Sequence, residues 1–109
     1  MINLKTKDLD LLQKIFRDYC PDAEIWAYGS RVNGDSHSGS DLDLTVKCFN
    51  DSKKRLYELK ELLSESNITF LIDMNSFDLL PYSFQEEIKR SYVVIFPDSK
   101  ALRELLALP

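Results

Sequence analysis

The chain has 109 residues, enough for one domain around one modest core, read as a single domain over residues 1–109. Its 44% apolar and 29% charged residues are ordinary for a soluble globular protein. No apolar run approaches a membrane span, and the first residues, MINLKTKDLDLL, lack a secretory leader, so the cytoplasm is the expected location. A net charge of −4 argues against a broad phosphate-binding face, and Cys20 and Cys48 are expected to be reduced packing thiols.

In chain order, residues 6–19 are expected to form a helix. Leu9, Leu12, Phe16 and Tyr19 share one stripe, Thr6 is placed to cap the start, and Cys20-Pro21-Asp22 ends it. Residues 23–28, AEIWAY, read as a strand, and residues 30–34 as a short helical turn after Gly29. The polar loop DSHSGS follows at 35–40. Residues 41–48, DLDLTVKC, alternate as a second strand.

Residues 52–65 read as a helix begun by Asp51 or Ser52, with Leu56, Leu59 and Leu63 facing inward. The basic clusters Lys53-Lys54-Arg55 and Lys89-Arg90 are read as solvated helix faces. ITFLIDM at 68–74 reads as a third strand. A helix over 83–91 follows Pro81, with Ser83 and Glu86 spaced as a capping box. YVVIF at 92–96 is either a short extended segment or the tail of that helix. A last helix from Asp98 or Ser99 would carry Leu102, Leu105 and Leu106, packed on the core or offered to a partner or second copy. The fold class expected is α/β (α+β): a small mixed sheet flanked by helices.

Within this frame one pattern stands out. Gly29-Ser30 ends the first strand, and Asp41-Leu42-Asp43 begins the second after ten intervening residues. Four fixed positions match by chance in about one chain per thousand of this length. Two carboxylates two apart on a strand share a face and repel, which folding alone gives no reason to arrange. A divalent cation removes that repulsion, and Mg²⁺ takes one or two carboxylates plus phosphate oxygens; Mn²⁺ would suit the same oxygen ligands. Glycine lets the backbone approach a phosphate, while the Ser30 hydroxyl, nearby amides and a helix start can donate to it.

Arg31 is a candidate for reaching a triphosphate, with a surface or ion-paired role as the alternative. Asp73, a charge at the end of an apolar run, is the candidate third metal ligand. His37, the only histidine, and Asp35 are read as surface residues of the polar loop.

GS-x10-D-x-D plus a later Asp resembles the minimal nucleotidyltransferases of the polymerase-beta-like superfamily, and the resemblance runs over essentially the whole chain. It implies that Asp41, Asp43 and Asp73 bind two Mg²⁺ ions and that Gly29 and Ser30 hold the nucleoside triphosphate. No expected motif residue is missing. The resemblance further implies a helical HEPN-family partner in a toxin–antitoxin pair, with AMP passed from ATP to a hydroxyl of that partner. Little sequence follows residue 97, so the acceptor surface is expected from another subunit. The acidic balance favours a protein acceptor over RNA. A contact-only binding module and an enzyme with a small-molecule or RNA acceptor are the competing readings. The nucleobase preference is not legible.

Overall fold

The computed structural model describes residues 2–34 and 40–97. Helix α1 (Thr6–Tyr19) leads to strand β1 (Glu24–Tyr28), the four-residue helix α2 (Ser30–Asn33) and strand β2 (Leu42–Cys48). Helix α3 (Leu56–Ser64) then precedes strand β3 (Ile72–Ser76), a 3₁₀ turn (Phe77–Leu79), helix α4 (Tyr82–Arg90) and strand β4 (Val93–Phe96). The four strands lie in the order β3-β2-β1-β4. β1 runs antiparallel to both β2 and β4, whereas β2 and β3 are parallel. Parallel neighbours need a crossover, and the segment containing α3 supplies it. The sheet is therefore mixed and flanked by helices, as expected.

Strand alternation sorts the side chains into two layers. Ile25, Ala27, Leu42, Leu44 and Met74 share a core with Leu9, Leu12 and Phe16 of α1 and Leu59 and Leu63 of α3. Their neighbours in sequence, Trp26 and Tyr28, belong to a smaller cluster with Phe77 and Ile88 of the 3₁₀ turn and α4. The larger layer carries most of the burial and leaves the second face only partly covered. The buried Gln13 reaches across that core, its Nε2 donating to Ile95 O at 2.9 Å.

Helix α1 spans the expected residues, but Lys5 occupies its N-cap and no side chain caps it, so Thr6 does not play that part. α3 starts at Leu56 rather than near 52. Asp51 Oδ1 accepts from Lys53 N at 2.9 Å, closing a local turn that delays the helix. The Tyr19 hydroxyl accepts from Arg55 N at 3.0 Å and donates to Glu58 Oε1 at 2.7 Å, tying the start of α3 to α1. The expected capping box of Ser83 and Glu86 is likewise replaced. Gln85 Nε2 donates to Phe77 O and Leu80 O at 2.9 and 3.1 Å, while Glu86 pairs with Lys89. Residues 92–96 resolve as an extended segment that forms β4 over Val93–Phe96. The expected helix with Leu102, Leu105 and Leu106 lies outside the described residues.

Both cysteines are free thiols, and Cys20 is buried. Burial pushes the Cys20 thiol up to about 11, partly opposed by the Lys54 charge. Its folded value exceeds its ordinary one, so the stability gained by keeping it protonated is full below about 9 and lost as pH rises through about 11. At pH 8 the native protein should therefore show one fast thiol, from the part-exposed Cys48, and a second only on unfolding. Timed reaction with a chromogenic disulfide reagent, with and without urea, checks this.

Candidate active site

The parallel register between β2 and β3 sets Asp43 directly beside Asp73, with Leu44 beside Met74. On the other side of β2, Asp43 is the cross-strand partner of Tyr28. Leu42 and Leu44 are fully buried on the core side, so alternation sends Asp43 to the opposite face with Asp73 and Tyr28. The strand begins at Leu42, leaving Asp41 exposed just before it rather than within it as expected. Asp73 is also exposed, and Asp43 is half-buried.

Burial raises the Asp43 carboxyl above its ordinary range, and the charges of Asp73 and Asp41 push it further. Among the described residues neither Asp43 nor Asp73 pairs with a lysine or arginine, whereas Lys14–Asp18 and Lys89–Glu86 do pair. The protein thus sets carboxylates side by side at an electrostatic cost to itself. Hard oxygen donors in this arrangement fit a divalent cation that shares its shell with phosphate oxygens. Among the described residues, no three His, Cys, Asp or Glu side chains enclose a metal position by themselves.

Gly29 follows Tyr28 with φ +79° and ψ −155°, a conformation that glycine alone adopts readily. A Cβ added there would overlap Asp43 Oδ2. The Asp43 carboxylate therefore lies flush against the backbone of the Gly29-Ser30 turn. Gly29 O accepts from Val32 N and Asn33 N at 3.0 and 2.9 Å, turning the chain into α2. The two motif halves and the distant Asp73 thus meet as one surface, Gly29 against Asp43 and Asp43 beside Asp73.

Arg31 has a structural task that its position in the sequence does not show. It is only 4% exposed. Its Nε and Nη2 donate to Ser40 O at 3.0 and 2.6 Å, and Nη1 donates to Asn3 O at 2.9 Å. The guanidinium also lies 4.3 Å from the centre of the Phe70 ring. Asn3 N in turn donates to Arg31 O at 2.7 Å. Arg31 thus clamps the N-terminal segment and the entry to β2, and its planar fork suits that work better than an ammonium. Arg31→Lys should cost about 1.5–3 kcal/mol of stability, the usual range for hydrogen bonds from a charged group. Urea unfolding checks this; unaltered stability would overturn the structural role.

Two residues of this face were missed by the sequence reading. Asn75 Nδ2 donates to the Tyr28 hydroxyl at 2.7 Å, bridging β3 to β1 across β2. Burial is the main reason the Tyr28 phenol sits above its ordinary value; the Asn75 bond pulls it the other way. Alternation alone marks 28, 43, 73 and 75 as candidates for one face, but only the strand register brings them together. His37 and Asp35 lie outside the described residues.

Three comparisons bear on this arrangement. The family model for polymerase beta, nucleotidyltransferase, matches residues 5–101. The probable protein adenylyltransferase MntA of Haemophilus influenzae is 32% identical over 108 residues, covering 98% of this chain and 95% of MntA. A solved structure described as a crystal structure of a toxin-antitoxin with AMP-PNP aligns at a TM-score of 0.64 and 22% identity. That alignment covers 92% of this chain and 81% of the other, and it speaks to the fold. No helix among the described residues is long and apolar enough to cross a membrane.

Proposed function

This chain belongs to the polymerase beta nucleotidyltransferase family, and from that premise we propose that it passes AMP from ATP to a hydroxyl of a partner protein, acting as an antitoxin. The observation that carries the reading is the pairing of Asp43 with Asp73 beside Gly29. The similarity to MntA, a probable protein adenylyltransferase, supports AMP and a protein acceptor. The toxin-antitoxin neighbour, solved with AMP-PNP, supports an ATP-like donor and a toxin as the partner; the sequence resemblance adds that this toxin is of the HEPN family.

Asp43 and Asp73, with Asp41 at the rim, would hold Mg²⁺. When bound, the metal would neutralise triphosphate charge and lower the pKa of the attacking hydroxyl. Gly29 keeps the backbone close to Asp43, so a phosphate resting on the Gly29-Ser30 turn lies against the carboxylate pair. The Ser30 hydroxyl and the amides of the turn donate to phosphate oxygens. Asp73, exposed on the edge strand, would orient the acceptor hydroxyl and take its proton. The hydroxyl oxygen bonds to the α-phosphorus, the bond to the bridging oxygen breaks, and pyrophosphate leaves. Positioning and charge placement supply most of the acceleration in such transfers.

The test is label transfer from ATP carrying a radioactive α-phosphate, with Mg²⁺ and the protein encoded by the neighbouring gene. Label on that protein, absent with the Asp41→Asn/Asp43→Asn double variant, is the expected result. A stable complex without label would mean neutralisation by contact alone, and label on RNA or a small molecule would move the acceptor class.

A further inference from the structure

A concavity adjoins the carboxylate face. It measures about 200 Å³ and is lined by Tyr28, Gly29, Asn33, Phe84, Ile88 and Ser91, with the exposed Glu87 at its edge. Ligand sites usually run to about 300–1,000 Å³, so this space suits one ring system rather than a whole nucleotide. Its position is set by the residues already described. Tyr28 is the cross-strand partner of Asp43, and Gly29 lies flush against the Asp43 carboxylate. A molecule whose phosphates rest on the Gly29-Ser30 turn therefore has this pocket within reach of its other end.

The lining has the chemistry of a base pocket. Ile88 and Tyr28 are buried and give an apolar floor. The Phe84 ring stands edge-on to Tyr28, with centroids 6.0 Å apart and planes at 90°. Phe84 remains 40% exposed, so ring surface stays open at the mouth. Asn33 at the rim carries an amide that both donates and accepts, as adenine's adjacent donor and acceptor require. We propose that the pocket between Gly29 and α4 is the nucleobase subsite, with Phe84 as the stacking wall and Asn33 as the adenine reader. This rests on the nucleotidyltransferase reading of the Gly29–Asp43–Asp73 surface and adds to it the side chains that select the base.

The test is calorimetric titration of the full chain, in Mg²⁺, with ATP, GTP and inorganic tripolyphosphate. Phe84→Ala should weaken ATP roughly five- to hundredfold, the span produced by losing one base–aromatic stack, and leave tripolyphosphate affinity unchanged. Phe84→Tyr, which keeps the ring, should bind ATP like the parent. Asn33→Ala should narrow the preference for ATP over GTP; an unchanged ratio overturns the adenine assignment. Unchanged ATP binding in Phe84→Ala overturns the subsite, as does an equal loss of ATP and tripolyphosphate. A parent protein that binds tripolyphosphate as tightly as ATP overturns the subsite alone. A parent that binds neither overturns the nucleotide reading itself, and the subsite with it.

Discussion

Asp43→Asn should abolish AMP transfer, by about 10³-fold or more, in a protein that folds as well as its parent. The size follows from losing a carboxylate at the centre of the site, where metal-assisted charge neutralisation is worth several kcal/mol and each 1.36 kcal/mol is tenfold. The unharmed fold follows from the electrostatics. Burial, Asp73 and Asp41 all raise the Asp43 carboxyl, so ionised Asp43 works against the fold. A neutral amide of the same shape removes that cost. The sign with pH is therefore fixed. Because the folded value is raised, the stabilising effect of a proton on Asp43 is full below its unfolded range, near pH 4, and lost as pH rises through the folded value. Without metal, Asp43→Asn should match or exceed the parent in thermal midpoint at pH 7, with the difference shrinking toward pH 4. Adding Mg²⁺ and ATP should reverse the order, since a ligand held by the parent alone stabilises the parent alone.

Gly29→Ala should cost both stability and activity, and Gly34→Ala supplies the contrast. Both glycines have positive φ, +79° and +87°. Gly34 has nothing within 4 Å of an added Cβ, so its alanine variant meets only left-handed backbone strain, about 1–2 kcal/mol. Gly29 combines positive φ with ψ of −155°, and its Cβ would overlap the Asp43 carboxylate. The backbone strain alone is of order 1–3 kcal/mol. The Asp43 side chain must also swing aside, which unseats it from Asp73. Displacements of about 1 Å at a reacting centre can cost about a hundredfold. Gly29→Ala should thus lose transfer at least a hundredfold, whereas Gly34→Ala melts lower and keeps its rate. Thermal melts and label transfer on the two variants separate strain from loss of the site.

The sequence made some of this legible and hid the rest for physical reasons. Helix α1 could be read to the residue because its stripe of Leu9, Leu12 and Phe16 meets a single core. β1, α2 and β2 fell within a residue or so of expectation because Gly29 and the polar loop punctuate them. β3 was expected over 68–74 but forms over Ile72–Ser76. Apolar character marked Ile68 and Phe70, yet these pack against the core before the strand begins, and pairing with Leu42 starts only at Ile72. Register is a long-range property that a local pattern does not carry. For the same reason the three acidic residues were recognisable from type and spacing, while the placement of Asp43 between Tyr28 and Asp73 was not. Arg31 was read for phosphate from its position after Gly29-Ser30, and its structural bonds were not legible there. Two of the atoms it binds, Asn3 O and Ser40 O, are main-chain atoms with no sequence signature.

Metal and nucleotide are expected to meet at the Asp43–Asp73 pair, against the Gly29 turn. The most direct measurement is a crystal structure of the full chain grown with Mn²⁺ and a non-hydrolysable ATP analogue, with the metal located by its anomalous scattering. The expected result is Mn²⁺ bound by carboxylate oxygens of Asp43 and Asp73, with triphosphate on the Gly29-Ser30 turn. Metal and nucleotide bound together elsewhere on the chain, with that pair untouched, would contradict the account.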